Sequence, residues 1–220
     1  MNGFRAGLGE GAGRIYDTLE KFRCMTFSQL LRCVEDDTLT PGEIIHILNT
    51  FKGMRIIEMS GERNAMVKFS SLEKWDRVLC DCIWVMMEHL EAQTEEVIRF
   101  DALCASVTNP ASAPIRMAYV YNNIAYYIAA LLPGEEEKTL IAAEYLRTVV
   151  SPDDKSVRVI LAAFDEDSCA ALPPIPDFDV MTACVRHGMI ETDDPDVRFV
   201  EVRPRKIDRR EGGQGAGFIG

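Results

Sequence analysis

His46, Asn49 and Lys52 recur at intervals of three residues, and Arg63 and Asn64 follow shortly after them. An asparagine amide can meet a base edge with two hydrogen bonds, a lysine ammonium can neutralise a phosphate, and an imidazole can do either. Carried on one helix and the turn behind it, these residues make a surface for reading nucleic acid, not one for bond cleavage. Glu43 opens the same segment and works against phosphate there. A second basic group, Arg203, Arg205, Lys206, Arg209 and Arg210, offers salt-sensitive phosphate contacts, or serves as a solvated tail on an acidic chain.

Other reactive residue types do not assemble into a site. The seven cysteines, at 24, 33, 80, 82, 104, 169 and 184, contain no Cys-x-x-Cys, and three histidines cannot complete a zinc spacing with them. They read as buried free thiols of a cytoplasmic protein. The run Gly7-Leu8-Gly9-Glu10-Gly11-Ala12-Gly13 follows no strand and lacks the lysine of a phosphate loop. Glu135-Glu136-Glu137 and Asp165-Glu166-Asp167 read as solvated helix starts, where the helix dipole favours acids. No metal and no cofactor are expected.

The elements that must position the reading residues are written in the local sequence. Ile15, Leu19 and Phe22 share one face of a helix from Gly11 to Arg23. Thr26-Phe27-Ser28-Gln29 is a capping box that opens a short helix burying Leu30, Leu31 and Val34, closed by an acidic turn at Glu35-Asp36-Asp37. Thr40-Pro41-Gly42-Glu43 is a second capping box, with proline suited to the first helical position. Ile44, Ile45, Leu48 and Phe51 follow, and Lys52-Gly53 ends the helix. Met54–Met59 then reads as a strand, Ser60–Asn64 as a turn and Ala65–Phe69 as the returning strand. This order is that of a winged helix-turn-helix, whose second helix commonly enters a DNA groove.

Beyond residue 71 the pattern changes. A helix from Leu72 to Ala92, carrying Trp75, Trp84 and several methionines, is apolar around most of its circumference and reads as a bridge. Strands are expected at Val97–Ala105, Ile115–Tyr121 and Ile124–Leu132, with Asn122-Asn123 as a tight turn. A helix from Glu135 to Arg147 should bury Leu140, Ile141, Tyr145 and Leu146. A strand at Val157–Phe164, a short helix at Asp165–Leu172, and strands at Val180–Val185 and Val197–Val202 complete the series. The apolar run Val159–Ala163 is that of a strand covered on both faces. The expected organisation is a winged-helix domain at 1–71 with 1–9 loose, a bridging helix at 72–92, a mixed-sheet α/β domain at 93–202, and a basic, then glycine-rich, disordered tail at 203–220.

Arg14-Ile15-Tyr16 through Leu30, Tyr126-Tyr127-Ile128-Ala129 before the helix at Glu135, and Val157–Phe164 ending in Asp165-Glu166 together resemble the replication-relaxation-type proteins and related families of bacterial mobile elements. That resemblance implies an N-terminal winged helix joined to a nuclease-like α/β half, and a role with plasmid or integrative-element DNA. The order helix, three strands, helix, strand is also similar to the restriction-endonuclease-like core. Such cores need an acid and an acid-x-lysine on adjoining strands to hold Mg²⁺ and activate water. Here Ile115–Tyr119 and Asn123–Ile128 carry neither, and Asp101 stands alone. Any nuclease-like core is therefore degenerate, and the protein is not expected to be an enzyme.

Charge limits how DNA can be held. Nine basic residues balance nine acidic ones through Ser71, whereas 10 face 24 from Leu72 to Val202, and the net charge is −11. An acidic body repels a polyanion, so contact must be local to the front unit or the tail. Double-stranded DNA is the expected partner. The alternative is a protein-interaction module whose acidic α/β surface docks a basic partner. With no secretory hydrophobic region at the N-terminus and no run of 18 apolar residues, the chain is expected in the cytoplasm, with no membrane contact.

Overall fold

A computed structural model describes residues 2–34, 38–60, 66–72, 76–90, 96–99, 115–145, 157–164, 180–187 and 194–202. The chain is mixed in content, with helices and two sheets. The elements run α1 (Asn2–Arg5), α2 (Glu10–Phe22), β1 (Cys24–Thr26), α3 (Phe27–Val34), α4 (Pro41–Gly53), β2 (Ile57–Ser60), β3 (Met66–Phe69) and α5 (Arg77–Leu90). Then come β4 (Glu96–Arg99), β5 (Ile115–Tyr121), β6 (Ile124–Leu131), α6 (Glu136–Tyr145), β7 (Val157–Ala163), β8 (Val180–Arg186) and β9 (Asp196–Val202).

The small sheet has the order β1-β3-β2, antiparallel throughout, with Met25 opposite Val67 and Met59 opposite the same residue from the other side. β1 departs from the expected sequence reading, which led Cys24-Met25 straight into the next helix. Three residues carry no periodic signal of their own, and only pairing with β3 makes them a strand. Residues 2–9 also differ from a loose start. They contain the single turn α1, because Phe4 packs its ring 5.7 Å from Tyr16 and 6.2 Å from Phe51. Arg5 fastens the same turn to Asp17 through its guanidinium.

Both capping boxes form. Thr26 N donates to Gln29 Oε1 at 2.9 Å while Gln29 N donates to Thr26 Oγ1 at 3.2 Å. Gln29 is buried, and its Nε2 donates to Cys80 O at 2.6 Å, so this cap also ties α3 to α5.

α5 begins at its own cap, not at Leu72. The Asp76 carboxylate accepts from Leu79 N at 3.0 Å, whereas Leu72 N is held in a turn by Phe69 O. Cys82 through Met87 are all buried, as expected of a helix flanked on several sides. It packs on β1 of the small sheet and on β5, β6, β8 and β9 of the large one. One apolar core runs continuously from Ile15 and Leu48 through Ile83 to Ile128 and Ile160.

The large sheet has the order β4-β5-β6-β7-β8-β9. β4, β5 and β6 form an antiparallel meander, β6, β7 and β8 run parallel, and β9 returns antiparallel to β8. Asn122 and Asn123 close the β5–β6 hairpin at φ 51° and 59°, the left-handed pair that a type I′ turn requires. Val159 to Ala163 are buried without interruption, so β7 is covered on both faces. The expected burial of Ile141 is not observed, for it is 59% exposed. Thr139 takes the inward position instead. Its hydroxyl points at Ala130 O and Glu135 O, both 3.1 Å away, and turns α6 so that Ile141 faces outward. The expected acidic turn at 35–37, Trp75, the strand extension through 100–105, the helix at 165–172, Leu146 and the tail at 203–220 lie outside the described residues.

Candidate nucleic-acid interface

α4 is set in place by its own sequence before any partner is considered. Thr40 Oγ1 accepts from Glu43 N at 3.4 Å, and the Glu43 carboxylate accepts from Thr40 N at 2.9 Å and from the Thr40 hydroxyl at 2.8 Å. Those bonds favour the ionised carboxyl and hold it below the usual range. Ile44, Leu48 and Phe51 are buried, and this inner stripe fixes the rotation of the helix about its axis. Gly42, Ile45, His46, Asn49, Thr50, Lys52 and Gly53 are consequently exposed. The structure thus brings His46, Asn49 and Lys52 together on the outward side, as their spacing predicts. Thr50 contributes less to that side, because its hydroxyl donates back to His46 O at 3.0 Å.

The end of α4 holds a residue that sequence reasoning missed. Gly53 ends α4 as expected, but the left-handed position beyond it is Arg55, at φ 58°. Ile56 N donates to Phe51 O and Arg55 N to Lys52 O, both at 3.0 Å. This is the double bond pattern of a Schellman end, which satisfies the last carbonyls and returns Ile56 to the core. It displaces the start of β2 to Ile57, three residues later than expected, and leaves Arg55 exposed beside the end of the helix. Nothing in the local sequence marks an arginine for this position.

Other cations of the front unit have partners within the fold. Arg5 pairs with Asp17. Arg32 meets Glu88 at 2.7 Å and lies over the Trp84 ring at 5.2 Å. Arg23 sits 5.6 Å from the Phe69 ring centroid. Lys68, only 3% exposed, donates to Leu72 O at 2.6 Å and pairs with Glu58 at 2.9 Å. Lys52 and Arg55 enter no ion pair among the described residues. The other expected contacts, Arg63 and Asn64 at the turn and Arg203, Arg205, Lys206, Arg209 and Arg210 in the tail, lie outside the described residues.

A second constellation sits where α5 meets the large sheet. The Tyr119 hydroxyl and His89 Nδ1 are 2.8 Å apart, with the His89 ring 4.8 Å from Tyr126 and 5.4 Å from Phe199. Tyr119 and Tyr126 stack with centroids 5.1 Å apart. Burial pushes the His89 pKa below its ordinary value of 6.5 and pushes the Tyr119 pKa well above its own. The imidazole, bonded to a phenol and ringed by Tyr126 and Phe199, packs at the junction of α5 with the large sheet. The unfolded chain takes up a proton on this histidine more readily than the folded one. Stability is therefore full above about pH 6.5 and declines as the pH falls through the window below that value. Thermal melts between pH 7 and pH 5 should show this decline, and His89→Gln should flatten it. A profile unchanged by the substitution would contradict the assignment.

The strands that would carry nuclease carboxylates hold other residues. The inward positions of β5 and β6 are Met117, Tyr119, Ile128 and Ala130, all buried in the main core. Among the described residues no group of three or more His, Cys, Asp or Glu side chains is placed to hold a metal ion, and Asp101 lies outside them. No helix of the described residues is long and apolar enough to cross a membrane. No protein-family profile, no curated protein and no solved structure matches the chain.

Proposed function

We propose that this chain is a non-enzymatic winged-helix protein that binds double-stranded DNA, or assembles a DNA-linked complex, for a bacterial mobile element. The observation that carries the reading is the arrangement of the first 69 residues. α2, β1, α3, α4, β2 and β3 follow in that order, the strands pair as β1-β3-β2, and α4 presents His46, Asn49 and Lys52 outward. Helix, strand, two helices and a two-stranded ribbon is the winged-helix plan, and α4 occupies the place of the reading helix. The order of α5, the β4–β5–β6 meander, α6 and β7 supports the likeness of the second half to a nuclease-like core without its catalytic set.

Electrostatics restrict the approach. A helix N-terminus ordinarily attracts phosphate, but here the ionised Glu43 occupies it. DNA is thus met by the middle and the C-terminal end of α4, where Asn49, Lys52 and Arg55 stand. Fluorescence-anisotropy titration of the full chain with a duplex tests this. Affinity should fall steeply as salt rises, with each phosphate contact adding roughly −0.9 to the slope of log K against log salt. Lys52→Gln should weaken binding to all duplexes and reduce that slope by about 1. Absence of salt-dependent binding would sink the DNA reading.

Two exposed apolar side chains favour a second reading. Ile45 is 44% exposed and Met54 57% exposed, on either side of the polar residues of α4. Such a helix face also suits a protein partner, and that reading predicts an affinity indifferent to Lys52→Gln and lost on Ile45→Asp with Met54→Asp.

A further inference from the structure

We propose that Cys24 and Cys80 are a redox-active dithiol that closes to a disulfide between β1 and the first turn of α5. Their sulfurs are 4.0 Å apart across elements separated by more than fifty residues of chain, and both thiols are buried. They form, with Met66, a small apolar cluster apart from the main core. Two independent features fix the pair. Gln29 Nε2 holds Cys80 O at 2.6 Å, and the Asp76 cap sets the start of the helix that carries Cys80. On the other side, Cys24 stands directly opposite Lys68 in the β1–β3 ladder.

The surroundings also assign the roles of the two sulfurs. Either thiol can donate across this contact. When Cys80 donates, that bond and the buried Lys68 ammonium lower the Cys24 pKa, and the Cys24 thiolate is favoured over that of Cys80. Cys24 is therefore the attacking sulfur toward a hydroperoxide. Its thiolate takes the terminal oxygen, the O–O bond breaks, and the departing alkoxide or hydroxide leaves as alcohol or water after protonation, giving a sulfenic acid at Cys24. The Cys80 sulfur then displaces the sulfenic oxygen as water, forming the S–S bond. Two thiols and one peroxide give one disulfide, one alcohol or water from the peroxide, and one further water. The other described cysteines lack such a partner. Cys82 and Cys184 are buried and Cys33 is exposed, and among the described residues none of the three has a hydrogen bond to another thiol.

The test uses the full chain, reduced and then freed of reductant. Treatment with hydrogen peroxide, followed by alkylation of remaining thiols and peptide mass spectrometry, should yield a peptide pair linked through Cys24 and Cys80, about 2 Da lighter than the two thiol peptides. Dithiothreitol should reverse it. In Cys80→Ala, the same treatment should stop at a Cys24 sulfenic acid that dimedone traps. Alkylation of both cysteines after exposure that fully oxidises Cys33 would overturn the proposal. So would a linkage map in which Cys24 and Cys80 join only other cysteines. Because the wild-type map decides, poor folding of the variant leaves the test intact.

Discussion

Phe51→Ala should lower the stability of this protein by about 3–5 kcal/mol. Phe51 is the last inward residue of α4 and is 2% exposed. Its ring meets Tyr16 of α2 edge-on at 6.3 Å, and Phe4 of α1 at 6.2 Å. Tyr16 in turn meets Phe69 of β3 at 5.6 Å, so one aromatic train joins three helices to the small sheet. Truncation removes the apolar area of the ring from burial and leaves a cavity whose walls, other aromatic rings, cannot collapse into it. Each lost edge contact adds roughly 0.5–1.5 kcal/mol beyond the area effect. Urea unfolding should show the midpoint falling at nearly constant slope. Ile45→Ala, nearly two helical turns earlier and on the outward side, should stay within about 0.5 kcal/mol of the parent. Comparable effects from the two substitutions would mean that α4 is rotated from the orientation described.

Ala162→Asp should be worse, at about 4 kcal/mol or more, and enough to prevent folding at moderate temperature. Ala130, Ala162 and Ala183 stand in register across β6, β7 and β8, and all three are buried. The row lies in the same core as Ile83 and Met86 of α5. Three small side chains abreast let a helix lie close to the sheet at that level. A carboxylate at the middle position has neither room nor a hydrogen-bond donor, and the cost of burying an unpaired charge falls on it in full. Soluble yield and the thermal midpoint measure the effect. Asn123→Asp, which adds the same carboxylate at an exposed turn, should leave both near the parent values. A folded Ala162→Asp protein with an unchanged midpoint would show that β7 is not covered on both faces.

What the sequence makes legible follows from the range of the interaction that each feature uses. The two capping boxes, the inward stripe of α4 and the Asn122-Asn123 turn are local in the chain, and each forms as its residues require. The outward set His46, Asn49 and Lys52 follows from that stripe, because fixing one side of a helix fixes the other. β1 is hidden because its three residues become a strand only through partners on β3, some forty residues later. Arg55 is hidden for a related reason. Its left-handed backbone is imposed by the return of Ile56 to a core built from other elements, and not by its own preference. Ile141 faces outward for want of a signal that Thr139 can satisfy its hydroxyl on the carbonyls of β6 and the helix start. The apolar pattern alone places isoleucine inward and threonine outward. The thiol pair Cys24 and Cys80 is equally a product of long-range packing, since neither spacing nor neighbouring residues join them.

Whether α4 meets DNA is tested most directly by amide hydrogen exchange of the full chain with and without a saturating duplex at low salt. The expected result is slowed exchange concentrated in residues 41–56, weakened by Lys52→Gln and by raised salt, with the buried strands of the large sheet unchanged. Unaltered exchange through residues 41–56 in the presence of bound duplex, with protection elsewhere on the chain, would contradict α4 as the reading element.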